Sequence, residues 1–332
     1  MADTAGSGVY ASGSSNVITR NQIYNTDYSG TSACGIALHG NREIVTFNTA
    51  SNSGRDILLP LGTGSDIRFN DLSHPGLLCK GTGAIYVVGV NAQGAAGPPS
   101  RLAFNWIHDI DYPPTSTLIC LANYAANFVV DHNEIWNSGG DEGILIVAPA
   151  VGHQIYNNTL FNCANLAAYT NNVWPSNNPD ASFWTNNVCQ YSASNNLYLA
   201  FAPQAQLVNW TQEEFQLQPN APAIDAGVVI PGFTEGYLGQ APDLGAYEYG
   251  GLTWSAGVGS TPTLAITGLG GGIVTLTASP DAAYYQLYSA TNLTPPALWQ
   301  PVTNVPTASG YEWALTLPLS ATGPYFYRLQ GL

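Results

Sequence analysis

The chain is poor in charge. Of 332 residues, 7 are Lys or Arg and 21 are Asp or Glu, so 8% are charged, where about 25% is usual for a soluble domain. A coiled coil needs charged flanks and a charge-rich disordered chain needs self-repulsion, so both are excluded. Basic residues are the scarcest, and six of the seven (Arg20, Arg42, Arg55, Arg68, Lys80 and Arg101) lie in the first 101 residues. Six acids balance them there. From Leu102 onward, 15 acids face only Arg328, so the net charge of −14 belongs to the last two thirds. Phosphate neutralisation needs clustered Lys and Arg, which speaks against nucleic acid and against an anionic membrane surface. No apolar run approaches the roughly 20 residues that span a bilayer. Five cysteines, an odd number without a CxxC pair, give no zinc or thioredoxin signature and read as buried free thiols. No GxSxG element, phosphate loop or dinucleotide fingerprint occurs.

What the chain does have is Gly, Asn, Ser, Thr, Pro and a repeat anchored on Asn. The repeat runs through Ile18–Asn21, Val45–Asn48, Ile67–Asn70, Leu102–Asn105, Val130–Asn133, Ile155–Asn158 and Trp184–Asn187, with spacings of 27, 22, 35, 28, 25 and 29 residues. An apolar residue follows two positions after most of these: Ile23, Leu72, Ile107, Ile135, Leu160. Each unit then carries a second short alternating strand: Gly35–Leu38, Asp56–Leu59, Ala84–Val87, Leu118–Leu121, Gly143–Ile146, Asn165–Ala168 and Asn196–Leu199. Short strands at this period, with no 3.6-residue pattern, predict a parallel β-solenoid of about seven rungs. Asn suits a left-handed bend and stacks into an amide ladder along the rungs. Phe47, Phe69 and Phe104, each just before its Asn, are expected to stack inside the solenoid, with His132 as a satisfied interior imidazole in the same column.

These segments resemble the right-handed parallel β-helix superfamily of secreted carbohydrate-active proteins, which includes pectate lyase-like and polygalacturonase-like enzymes. The resemblance covers residues 8–201. Phe215–Gly227 and Pro242–Tyr249 look like the tail that follows many secreted bacterial β-helices, in which Asp225, Asp243 and Glu248 are structural. The expected organisation is all-β: the helix over 8–201, a wrapping or capping tail over 202–250, a linker over 251–262, and a small β-sandwich over 263–332. Ser289–Leu293 and Tyr325–Leu329 carry the sandwich likeness. The resemblance implies a secreted protein whose leader is absent from this sequence, acting on a polysaccharide or oligosaccharide. It differs where relatives carry an acid beside the strand. Here the matching stretches are Gly81–Tyr86 and Leu118–Asn123, without that acid.

In-register stacking turns sequence offsets into geometry, because equivalent positions then lie about 4.8 Å apart. The loops before the second strand place His74, then His108, Asp109 and Asp111, then Asp141 and Glu142 on three consecutive rungs. Paired carboxylates along such a ridge suit glycoside hydrolysis, one as acid and one as nucleophile or base. Asp109 or Asp111 would pair with Asp141 or Glu142, and His74 would orient substrate. Lys80, His108, Tyr86 and Tyr198 are candidate substrate contacts. The same acids could hold calcium, which favours several oxygen ligands. No cofactor is otherwise expected. A polyanion lyase is disfavoured by the shortage of bases, unless calcium bridges chain and substrate.

The second-strand sheet carries an outward column of Ala37, Leu58, Tyr86, Cys120, Leu145, Ala167 and Tyr198, taking Ile36, Ile57, Ile85, Ile119, Ile144, Leu166 and Leu197 as inward. A face this apolar implies cover by the tail or sandwich, self-association, or sugar stacking. The second functional class is therefore non-catalytic: a self-assembling β-helix, stacking through an uncapped first unit, or a glycan-binding module.

Overall fold

The computed structural model describes residues 6–89, 97–111, 116–122, 124–139, 142–147, 150–169, 189–194, 196–199, 207–309, 312–319 and 324–331, with backbone alone for 164–169, 189–192, 198–199 and 308–309. The chain is all-β. Three parallel sheets of seven strands each account for most of it, an arrangement that fits a β-helix, and small antiparallel sheets follow. The first sheet runs Val9–Ala11, Cys34–Leu38, Asp56–Pro60, Gly83–Val88, Thr117–Ala122, Glu142–Val147 and Ala164–Tyr169. The second runs Val17–Thr19, Ile44–Thr46, Asp66–Arg68, Ser100–Ala103, Phe128–Asp131, Ala150–Tyr156 and Cys189–Ser194. The third runs Gln22–Thr26, Thr49–Ser53, Asp71–Ser73, Trp106–His108, Glu134–Trp136, Thr159–Phe161 and Leu197–Leu199. Each unit therefore has three strands. The apolar residue two places after the Asn belongs to a strand of its own.

The Asn column is a ladder. The backbone N–H and Nδ2 of Asn21 both donate to Oδ1 of Asn48, at 3.0 and 2.9 Å, and the pattern repeats through Asn70, Asn105, Asn133, Asn158 and Asn196. Each buried amide also caps a carbonyl of the preceding unit, as Asn105 Nδ2 does to Ile67 O at 3.0 Å. The corner between the second and third sheets is thus satisfied without water, as a buried corner requires. The last described rung is carried by Asn196; Trp184–Asn187 lies outside the described residues.

Between the parallel sheets, at least one apolar residue from most strands forms the core. Ile36, Leu58, Ile85, Ile119 and Ile144 come from the first sheet, Val45, Ile67, Leu102, Val130 and Ile155 from the second, and Ile23, Leu72, Ile107, Ile135 and Leu160 from the third. Each such burial contributes roughly 1.5–3 kcal/mol against the cost of ordering the chain. The pairing corrects one column. Ile36 pairs with Leu58, and Leu58 with Ile85, so Leu58 is inward and Leu59 stands outward beside Ala37. Ile57 is also buried in the core. A run of three aliphatics, Ile57-Leu58-Leu59, carries no alternation that would mark its phase.

The aromatic column also changes sides. Phe47, Phe69, Phe104 and His132 do stack, with ring centroids 5.3, 5.1 and 5.0 Å apart. It is these residues, not the Asn after them, that take the left-handed bend, with φ of 54–57°. The bend turns their side chains away from the core between the parallel sheets. They belong to a second apolar core with Trp136, Phe215, Tyr247 and Trp254, formed where the tail lies over the third sheet. His132 is buried and its Nδ1 lies 2.9 Å from Asp131 Oδ2. Asp131 in turn pairs with Arg101, whose guanidinium holds it well below the usual carboxylate range despite burial.

The tail is pinned by backbone donors: Ala246 N to Thr159 Oγ1 at 2.9 Å, Gly257 N to Phe69 O at 2.9 Å, and Val258 N to Thr49 Oγ1 at 3.1 Å. Residues 251–262 are part of this cover, not a free linker, because Trp254 is buried against Phe69, Phe104 and Tyr247. Asp225, Asp243 and Glu248 accept backbone N–H groups of the tail itself, from Ala241, Tyr249 and Asp243 among others. The C-terminal part forms a four-stranded and a three-stranded antiparallel sheet around Val274, Leu276, Leu315 and Leu317. Its Tyr284 and Tyr285 pack edge-on against Phe47, and Tyr284 donates to Asp66 at 3.1 Å.

Candidate functional site

The third sheet ends in a second left-handed column. Asn25, Asn52, His74, Asp109, Asn137 and Asn162 all have φ of 50–57°. Their side chains point outward at the corner leading to the first sheet. Asn137 Nδ2 donates to Asp109 Oδ1 at 2.7 Å, and Asn162 Nδ2 to Asn137 Oδ1 at 2.8 Å. This corner brings His74, His108, Asp109 and Asp111 together, as the rung arithmetic requires.

His108 is the centre of the cluster. Its Nε2 lies 2.8 Å from Asp71 Oδ1 and its Nδ1 2.8 Å from Asp109 Oδ2, while its ring lies flat on Trp136 at 4.1 Å and 2°. Burial alone would lower its pKa, but hydrogen bonds to the two carboxylates overcome that and push it up to about 9. At neutral pH it is an imidazolium. Asp109 is held below the usual carboxylate range, chiefly by His108 and, against partial burial, also by Asn137. Both Asp109 oxygens accept hydrogen bonds, from His108 and Asn137, and His108 bridges the carboxylates of Asp71 and Asp109 on neighbouring units.

His74 and Asp111 are more open. His74 Nε2 lies 3.7 Å from Asp111 Oδ1, and the Asp111 side chain is 53% exposed. The His74 Nδ1 is buried with no hydrogen-bond partner among the described residues, and its ring meets that of His108 edge-on at 6.5 Å. Glu142 opens the strand Glu142–Val147 of the first sheet and is half-buried. Asp141 lies outside the described residues. Lys80 is exposed in the turn before Gly83–Val88.

Tyr86 is half-buried on the outer face of the first sheet, beside Cys120, and burial pushes its hydroxyl up to about 12. Tyr198 is not in that column. It belongs to the third sheet, paired with Leu160. Among the described residues the tail's hydrogen bonds and ring contacts run to the third sheet and to the second-sheet corner, as at Thr159, Trp136, Phe161 and Tyr156. On the first-sheet face Tyr10 is exposed and stacks on His39 at 4.6 Å. Cys34, Cys120 and Cys163 are buried free thiols, pushed up by burial to about 12, 12 and 11.

Two residues of the cluster escaped sequence reasoning: Asp71 and Trp136. Asp71 directly follows Asn70, as Glu134 follows Asn133, and this offset marks the outward column Asp71, Trp106, Glu134 and Thr159. Glu134 is fully buried under the tail, which pushes its carboxyl up to about 8; nearby Tyr247 and Trp106 offset this only in part. Among the described residues no group of three or more His, Cys, Asp or Glu side chains is placed to hold a metal ion. No protein family, curated protein or solved structure matches the chain.

Proposed function

We propose that the chain is an extracellular carbohydrate-active protein of the right-handed parallel β-helix superfamily, hydrolysing a neutral or weakly charged glycan along the corner between the third and first sheets. The observation that carries the reading is the contrast between Asp109 and Asp111. Asp109 is locked by His108 and Asn137, whereas Asp111 is exposed, with its Oδ1 3.7 Å from the His74 imidazole. Asp111 then exchanges the proton with the glycosidic oxygen or water, Glu142 is the second carboxylate, and His74 orients Asp111. The Asp71–His108–Asp109 brace keeps the rungs in register and supplies a fixed field. Acid–base catalysis of this kind contributes about 10²–10⁴ in rate. Asp111→Asn and Glu142→Gln, assayed separately on a glycan the parent cleaves, should each lose about 10² or more. Full activity in both variants sinks the assignment.

The second reading is glycan binding without turnover. It is favoured by the exposed Tyr10–His39 stack and the half-buried Tyr86 on the first-sheet face, since exposed rings suit sugar stacking. A glycan array with retention but no product release would select it.

A further inference from the structure

Between the two C-terminal sheets lies a pocket of about 290 Å³, open to solvent on one side and walled by Leu264, Leu276, Ala278, Leu287, Trp313 and Leu329, among others. The walls are set by backbone ladders: Leu264 pairs with Ala278 and Ala278 with Trp313 on one side, and Leu287 with Leu329 on the other. Trp313 Nε1 donates to Pro280 O at 3.2 Å, which fixes the plane of its ring. Small residues, Ala278, Ala282 and Ala283, line part of it and leave room for a guest, and Val305 stands at the rim, 86% exposed.

We propose that this cavity is a binding site for a small uncharged ring, of the size of a substituted benzene. The lining decides the chemistry. It is mainly aliphatic, with the Trp313 and Tyr285 rings and the uncharged polar residues Thr277, Gln286, Thr303 and Asn304, and none of its residues is charged. A charged ligand would lose part of its hydration and meet no counter-charge there. The volume suits one ring with a short substituent, as in mostly apolar sites with a few polar groups. The site is independent of the ridge at His74 and Asp111, and of any turnover there.

The test uses the whole chain. Toluene, benzoate and benzylammonium are titrated in parallel by calorimetry. Toluene should bind saturably at one site per chain, with the two charged rings weaker by about tenfold or more. Ala278→Leu, which fills the wall beside Trp313, should weaken toluene by about tenfold or more. Absence of saturable toluene binding, or equal binding of the charged rings, overturns the proposal without reference to any variant. Bromobenzene diffused into crystals of the parent should place bromine between Leu276 and Leu287. Bromine found elsewhere overturns it as well, even if Ala278→Leu fails to fold.

Discussion

Two left-handed columns border the third sheet, and they meet opposite fates. At the corner with the second sheet, Phe47, Phe69, Phe104 and His132 project outward and are buried under Trp254, Tyr284 and Tyr285. At the corner with the first sheet, Asn52, His74, Asp109 and Asn137 project outward from the same backbone conformation and stay open enough to form a polar ridge. The bend is identical and so is the direction it imposes. The residue type decides whether a corner recruits a cover or remains available for chemistry. Left-handed φ is costly for Phe. Stacking between rungs and burial by the tail offset that cost, so the aromatic corner depends on tertiary contacts where the polar corner depends on local hydrogen bonds.

The comparison can be broken most forcefully at Phe69, which sits between Phe47 and Phe104 and against Trp254. Phe69→Ala should cost about 3–5 kcal/mol in denaturant unfolding. A loss under 1 kcal/mol would mean the tail adds little to the aromatic corner. Next comes the ladder that both corners lean on. Asn105→Ala strands the Asn70 donors and the Ile67 carbonyl, and should cost about 2–3 kcal/mol.

The polar corner is then tested by pH. His108 has its pKa raised in the folded state, so the stability it contributes is fully present below the unfolded value of about 6.5. That stability is lost as pH rises through about 9. Glu134, an acid raised to about 8, works in the same direction: its contribution is present below about 4.5 and is lost as pH rises through its folded value. Stability should therefore fall between pH 6.5 and 9. His108→Gln should remove about 3 kcal/mol of that fall, and Glu134→Gln should raise stability above pH 8. A flat parent profile, read by thermal melts across this range, would show that neither group is perturbed. The smallest effect belongs to Asp111→Asn, which should leave stability within about 0.5 kcal/mol because the side chain is exposed. Any larger loss would place Asp111 in the brace with Asp109.

Much of the parallel-strand architecture could be read from residue patterns. The Asn column was visible from Asn21 to Asn158 because a single residue type recurs in each unit and each amide serves its neighbours on both sides; the Asn196 step was hidden behind the similar Trp184–Asn187 stretch. The ridge of His74, His108, Asp109 and Asp111 was visible for the same reason, since in-register stacking converts offsets into neighbours. Asp71 and Trp136 were hidden because they lie on strands, where an outward acid or ring looks like ordinary solvent-facing alternation. The inside-or-outside choice for Phe47 and its neighbours was hidden too. An aromatic repeat looks the same whether it fills a core or awaits a cover.

The amino-acid sequence alone determined the ladder from Asn21 to Asn158 and the closeness of His74, His108, Asp109 and Asp111, because these follow from residue type and period in parallel stacking. The tertiary structure decided that Asn196 carries the next step of the ladder, which side of the parallel sheets the aromatic column faces, that Trp254 turns a Gly-rich stretch into cover, and that Asp109 is locked while Asp111 is open. Those outcomes rest on one φ angle at each corner and on contacts between segments tens to hundreds of residues apart, such as Phe47 with Tyr284. No local pattern encodes which distant surface will arrive.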